Sequence, residues 1–217
     1  MSTRFLVGAL CLSFLGACAG RPIRLETGPR ALTPEDYEEI YEAWTRNADD
    51  FQWGGLNDVL RVTATFESWE FRWAYVVRYA SDHALEGETR NNLLRASLDD
   101  SQEHHRFFIT ISGEVFEEQN LTSARSAWRV VLVDENGQQM EPMAIERVRR
   151  PSAAERTYFP TISSHRQAFR LIFPTRREDG SPVIPPDAEA VTLRFAGALG
   201  QLDVRWELAS AAADSTP

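Results

Sequence analysis

The chain has 217 residues and a formal charge of −9 near neutrality, set by 32 acidic against 23 basic side chains. That balance argues against nucleic acid and against a basic patch pressed onto anionic headgroups, and six tryptophans with a high apolar content argue against disorder. Every lysine-or-arginine position is arginine, so Schiff-base and amine-nucleophile chemistry on lysine is excluded.

The chain opens on Met1-Ser2-Thr3-Arg4, followed by the uncharged, largely apolar run Phe5 to Leu15. A helix needs about 20 residues to cross a bilayer core, so this run is too short to span. It has the length of a secretory h-region and ends in small residues. Leu15-Gly16-Ala17-Cys18 then resembles the lipobox of bacterial lipoproteins. The resemblance implies a signal peptide over 1–17, cleavage before Cys18, a diacylglycerol thioether on its sulfur, and acylation of its new amine, palmitate being the usual label. More than one acyl chain makes a durable anchor. Ala19 and Gly20 follow. In lipoproteins of diderm bacteria an aspartate at the first of these positions commonly marks inner-membrane retention. Its absence implies the outer membrane, with the body facing the periplasm or the cell surface.

Cys11 leaves with the leader and Cys18 carries lipid, so the mature domain has no disulfide, no thiol nucleophile and no cysteine metal site. Residues 18–32 read as a lipidated tether, broken by Arg21-Pro22 and Gly28-Pro29. At about 3.3 Å per residue it reaches roughly 45 Å.

Residues 33–210 read as one domain. Thr33-Pro34-Glu35-Asp36 opens a helix, and Tyr37, Ile40, Tyr41 and Trp44 give it one apolar stripe. Leu60, Val62, Ala64 and Phe66 alternate with polar residues, as in a half-buried strand. Residues 69–81 carry both periods. Phe71, Trp73, Tyr75, Val77 and Tyr79 alternate like a strand, but Ser68, Glu70 and the helical pattern beyond favour a helix. With a second helix over Glu86–Gln102, Leu93, Leu94 and Leu98 inward, this predicts a helical hairpin inserted at 68–103. From Arg106 the chain reads as β, with alternation at Phe107–Ile111, Phe169–Phe173, Val191–Phe195 and Leu202–Leu208. Trp128–Val133 is nearly continuous apolar, and Asp134-Glu135-Asn136-Gly137 signals a hairpin turn. The pattern predicts a mainly β fold, a two-sheet sandwich that looks immunoglobulin-like in architecture and lacks the Cys–Trp–Cys framework. Residues 211–217 read as a disordered tail.

The chemistry-bearing residues form no catalytic motif. Asp100 and His104 sit four apart, one face of a helix, and begin a metal site that neighbouring His105 does not complete. Ser164-His165 lacks a nucleophile elbow. Asp99, Asp100 and Glu103, and Glu117-Glu118, read as solvated acidic faces rather than a glycosidase pair. Trp53-Gly54-Gly55 lacks the spacing and cation of a phosphate loop. Trp69 and Trp73 with Trp53 are either core or a binding patch. Arg147, Arg149 and Arg150 form the main basic cluster, with Arg176-Arg177 a second. They serve either as anion or partner contacts or as a charged edge strand that resists aggregation. The sequence thus predicts a lipid-anchored, non-catalytic binding or assembly module of the envelope, without cofactor or metal. Its partners are the membrane through the lipid and an envelope protein or polysaccharide. The alternative is a periplasmic hydrolase or metal-dependent enzyme using Asp100, His104 or His165.

Overall fold

The computed structural model describes residues 23–52 and 57–209. Cys18 with its leader, Trp53 and the 211–217 tail lie outside the described residues. Within them the chain is mainly β, in two antiparallel sheets with a few helices.

Thr33 donates from its backbone N and its Oγ1 to Asp36 Oδ2 at 2.7 and 3.0 Å, closing a short 3-10 turn over Pro34–Asp36. Helix α1 (Tyr37–Trp44) follows and buries Tyr37, Ile40 and Trp44, the expected stripe. Strand β1 (Thr45–Gln52) then pairs antiparallel with β2 (Asn57–Phe66). The inserted hairpin is helical on both arms, α2 (Trp69–Asp82) and α3 (Gly87–Glu103), and leads into β3 (His104–Ser112). Ser68 Oγ accepts from the Phe71 amide at 3.2 Å and starts α2. Its buried residues include Phe71, Ala74, Val77 and Ala80 three apart and Arg72 and Val76 four apart, a helical spacing, whereas Trp73 and Tyr75 of the competing alternation are only partly buried. In α3 Leu98 is buried, while Leu93 and Leu94 stay half-exposed on this outer helix.

Strand β4 (Arg129–Val133) turns into β5 (Gln139–Met140) at Gly137, whose φ of 77° suits a hairpin and whose amide donates to Asp134 O at 3.0 Å. Strand β6 (Ala144–Val148), helix α4 (Ala153–Tyr158), β7 (Gln167–Pro174), β8 (Ala190–Gly197) and β9 (Gly200–Glu207) complete the chain. The first sheet runs β1-β2-β3-β7-β6 and the second β5-β4-β8-β9.

Strand β3 is buried without interruption from Phe107 to Ile111, which requires cover on both faces. On one face Phe107 stacks on Phe66 at 4.6 Å, and both meet Trp206 of β9. On the other, Phe108 stacks at 4.0 Å on Phe159, just past α4. Trp206 Nε1 donates to Trp44 O, and Trp44 Nε1 to Glu70 Oε2, each at 2.9 Å. These bonds join the second sheet, α1 and α2 into a helix–sheet–sheet stack.

The expected tether is shorter than its sequence suggests. Ile23 is 4% exposed and bridges in parallel to Leu208, with its carbonyl accepting from the Ala209 amide at 2.8 Å. Trp69 Nε1 donates to Gly28 O at 2.8 Å, and Leu32 packs on the core. Buried apolar anchors and a satisfied carbonyl hold residues 23–32 against the body.

Candidate anion-binding cleft

Strand β6 is the edge of the first sheet, and its end carries Arg147 and Arg149. The chain then turns at Pro151 into α4. The turn is fixed by a capping box: the Ser152 amide donates to Glu155 Oε2 at 2.7 Å, and Ser152 Oγ accepts from the Glu155 amide at 3.1 Å. Glu155 Oε1 takes Arg170 Nη2 of β7 at 2.5 Å, which docks the helix and occupies its acid. Burial opposes the charged Glu155 carboxylate. Arg170 and the Ser152 backbone outweigh that and hold its pKa below the usual range.

Between β6, α4 and the start of β7 lies a cleft of about 530 Å³ lined by Arg147, Arg149, Arg156, Arg166, Ser163 and Ser164 among others. No carboxylate among the described residues lines it. Arg156 Nη1 donates to Pro151 O at 2.5 Å, which aims its stem along the turn. Arg166 Nη1 donates to Thr63 Oγ1 at 2.9 Å and Thr110 Oγ1 at 3.3 Å, cross-strand partners on β2 and β3. Uncharged hydroxyls therefore orient Arg166 and leave its charge uncompensated. Several arginines elsewhere pair with acids: Arg72 with Asp100, Arg78 with Asp82, Arg129 with Glu141, Arg177 with Asp134 and Arg194 with Asp203. No ion pair holds a cleft arginine among the described residues. Arginines that line one cleft without an ion pair are suited to an oxyanion, which their planar guanidinium forks can hold bidentately.

Of the sequence-predicted cluster, Arg147 and Arg149 line the cleft; Arg150 is exposed and does not. Arg156, Arg166, Ser163 and Ser164 escaped the sequence reading. Ser164 was weighed as a nucleophile beside His165, and the return of residues 163–166 to the end of β6 depends on β6–β7 pairing. The second basic pair is structural, since Arg177 Nη2 donates to Asp134 Oδ2 at 2.9 Å and Arg176 Nη1 to Gly180 O at 3.0 Å.

Asp100 and His104 do meet, with Nδ1 3.0 Å from Oδ1. Both carboxylate oxygens also accept from guanidinium groups, Arg72 at 2.5 Å and Arg106 at 2.6 Å, leaving the acid as the hub of an ion network. Burial opposes its charge, but Arg72, then Arg106 and His104, bring its pKa down. Arg72 adds bonds to the carbonyls of Glu67, Ser97 and His104 and so staples both helices to β3. His165 lies outside this network, on the exposed stretch before Arg166. Arg166 bonds Thr110, six residues along β3 from His104, or about 20 Å. Asp100 and His104 are thus brought together, and His165 stands apart from them.

A second cleft, of about 330 Å³, opens above that network and is lined by Glu67, Tyr75, Asp100, Arg106 and Arg170 among others. Burial raises the Glu67 pKa against the pull of Arg72, Arg170 and Arg106. Burial also pushes the Tyr75 hydroxyl up to about 12 and the neighbouring His105 imidazole down to about 4. Trp69 and Trp73 are partly buried.

No protein family, curated protein or solved structure matches the chain. Among the described residues no helix is long and apolar enough to cross a membrane, and no group of three or more His, Cys, Asp or Glu could hold a metal ion.

Proposed function

We propose that this chain is a lipid-anchored protein of the outer membrane whose body is a non-catalytic binding module for an anionic envelope component. The observation that carries the reading is the arginine-lined cleft: four arginines and two serines with no acid among the described residues, on a chain of net charge −9. A ligand held there compensates charge that the fold leaves open. Leu15-Gly16-Ala17-Cys18 supports the anchor through its lipobox resemblance. We also read the body as an immunoglobulin-like sandwich. Setting β1 aside, the orders β2-β3-β7-β6 and β5-β4-β8-β9 follow the A-B-E-D and C′-C-F-G pattern of immunoglobulin sheets. In that frame the helical hairpin is an insertion between the first two strands, and aromatic packing stands where a disulfide would be.

Calorimetric titration of the full chain in neutral detergent with inorganic phosphate at low ionic strength tests the ligand class. Binding that weakens as salt rises is expected. The double variant Arg147→Ala/Arg149→Ala lowers affinity about tenfold, while Arg150→Ala, outside the cleft, leaves it unchanged. Absence of phosphate binding, or binding indifferent to the double variant, overturns the reading.

A further inference from the structure

The rim of the arginine-lined cleft is apolar and held in place. Val115 and Phe116 are 45% and 50% exposed on the turn after β3, and Phe116 itself lines the cleft. The Arg147 guanidinium carbon stands 6.0 Å from the Phe116 ring centroid. An exposed phenyl ring on a loop normally owes its position to nothing, but this turn is fastened from below. The carboxamide Nε2 of Gln167, a residue 3% exposed, donates to the Phe116 carbonyl. The Ala127 amide donates to Glu118 O at 2.9 Å. Gly113 lets the chain pass where a Cβ would stand 2.6 Å from Val59 O. The Gln167 carboxamide oxygen, buried in the cleft wall, has no hydrogen-bond partner in the protein.

Four cations, two hydroxyls and a fixed apolar lip describe one class of ligand. We infer that the cleft takes an amphiphilic phosphate, its phosphoryl oxygens among Arg147, Arg149, Arg156 and Arg166 and its apolar part against Phe116 and Val115. A phosphoryl group offers several charged oxygens to guanidinium forks approaching from different elements, where a lone carboxylate satisfies one fork. The apolar lip adds burial that a free phosphate ion does not use. This inference rests on the anion-binding reading above and narrows it to a substrate class. A phosphorylated lipid headgroup and a soluble alkyl phosphate share this chemistry.

The test titrates the full chain in neutral detergent with inorganic phosphate, with hexyl phosphate, and with micelles doped with phosphatidic acid. Hexyl phosphate should bind about tenfold more tightly than inorganic phosphate. Phe116→Ser, at a half-exposed position, should abolish that advantage, so that the variant binds hexyl phosphate no more tightly than it binds inorganic phosphate. Arg147→Ala/Arg149→Ala should weaken both by about tenfold. Tighter binding to the doped micelles than to hexyl phosphate identifies a lipid headgroup; the reverse order identifies a soluble amphiphile, and both support the inference. Equal affinity for hexyl phosphate and phosphate, or an unaffected Phe116→Ser, overturns the amphiphile while sparing the anion-binding reading. Failure of every phosphate to bind overturns both.

Discussion

Glu67 and His105 respond to acid in opposite senses. The folded-state pKa of His105 lies near 4, below the ordinary imidazole value of 6.5, because burial and then Arg72 disfavour the imidazolium. The unfolded chain therefore takes up a proton that the folded chain refuses between pH 6.5 and about 4, and stability falls as pH drops through that window. The contribution is at most about 3 kcal/mol at 1.36 kcal/mol per unit. Glu67 is raised by burial, so its stabilising effect is full below the ordinary glutamate pKa and lost as pH rises through the folded value. Urea denaturation between pH 4 and 7.5 should show His105→Gln flattening the acid-side loss and Glu67→Gln gaining stability at pH 7. An unchanged pH profile in both variants removes these two residues from the protein's acid response. Neither role was legible in the sequence, where Glu67 is one acid after an alternating strand and His105 half of a histidine pair. Both depend on α2 and α3 folding over the sheet.

At the scale of elements, Gly197 closes β8 where a Cβ would collide with the backbone of Ala127, including its carbonyl oxygen. Gly197→Ala should force β8 away from the segment entering β4, at a cost on the order of 2 kcal/mol for overpacking. The loss would appear as a lower urea midpoint, and an unchanged midpoint would show that the loop yields freely. Elements with a strong apolar period were readable from sequence: α1, the helical hairpin and the strands around Phe107, Phe169, Leu193 and Val204 all stand where the pattern put them. Strand β1 was not. Thr45-Arg46-Asn47-Ala48-Asp49-Asp50 has no apolar alternation because it is an edge strand held through β2. Helix α4 was missed because Ala153–Tyr158 is too short for a stripe to declare itself, and its capping box carries the signal instead. The cleft was half legible. Arg147 and Arg149 stood out as a cluster, while Arg156 and Arg166 join them only through the β6–β7 pairing.

At the scale of the whole molecule, Ile23, where the described chain begins, and the cleft lie toward opposite ends of β3. The Ile23–Leu208 bridge is on the side of Phe66 and His105, in that Arg24, Leu25, Phe66 and His105 line one depression. The cleft's Arg166 reaches Thr110 near the other end. If Cys18 carries lipid, cells fed labelled palmitate should incorporate it into the chain, and Cys18→Ser should abolish both the label and membrane fractionation. Labelling that survives the substitution would sink the anchor. The Ile23–Leu208 bridge also governs how tension would enter the molecule. Because the two segments run side by side in the same direction, a pull on the N-terminal segment slides along the last strand and loads the Ala209–Ile23 hydrogen bond in shear. A load applied at Ile23 would then pass into β9 and its Trp206–Trp44 clasp.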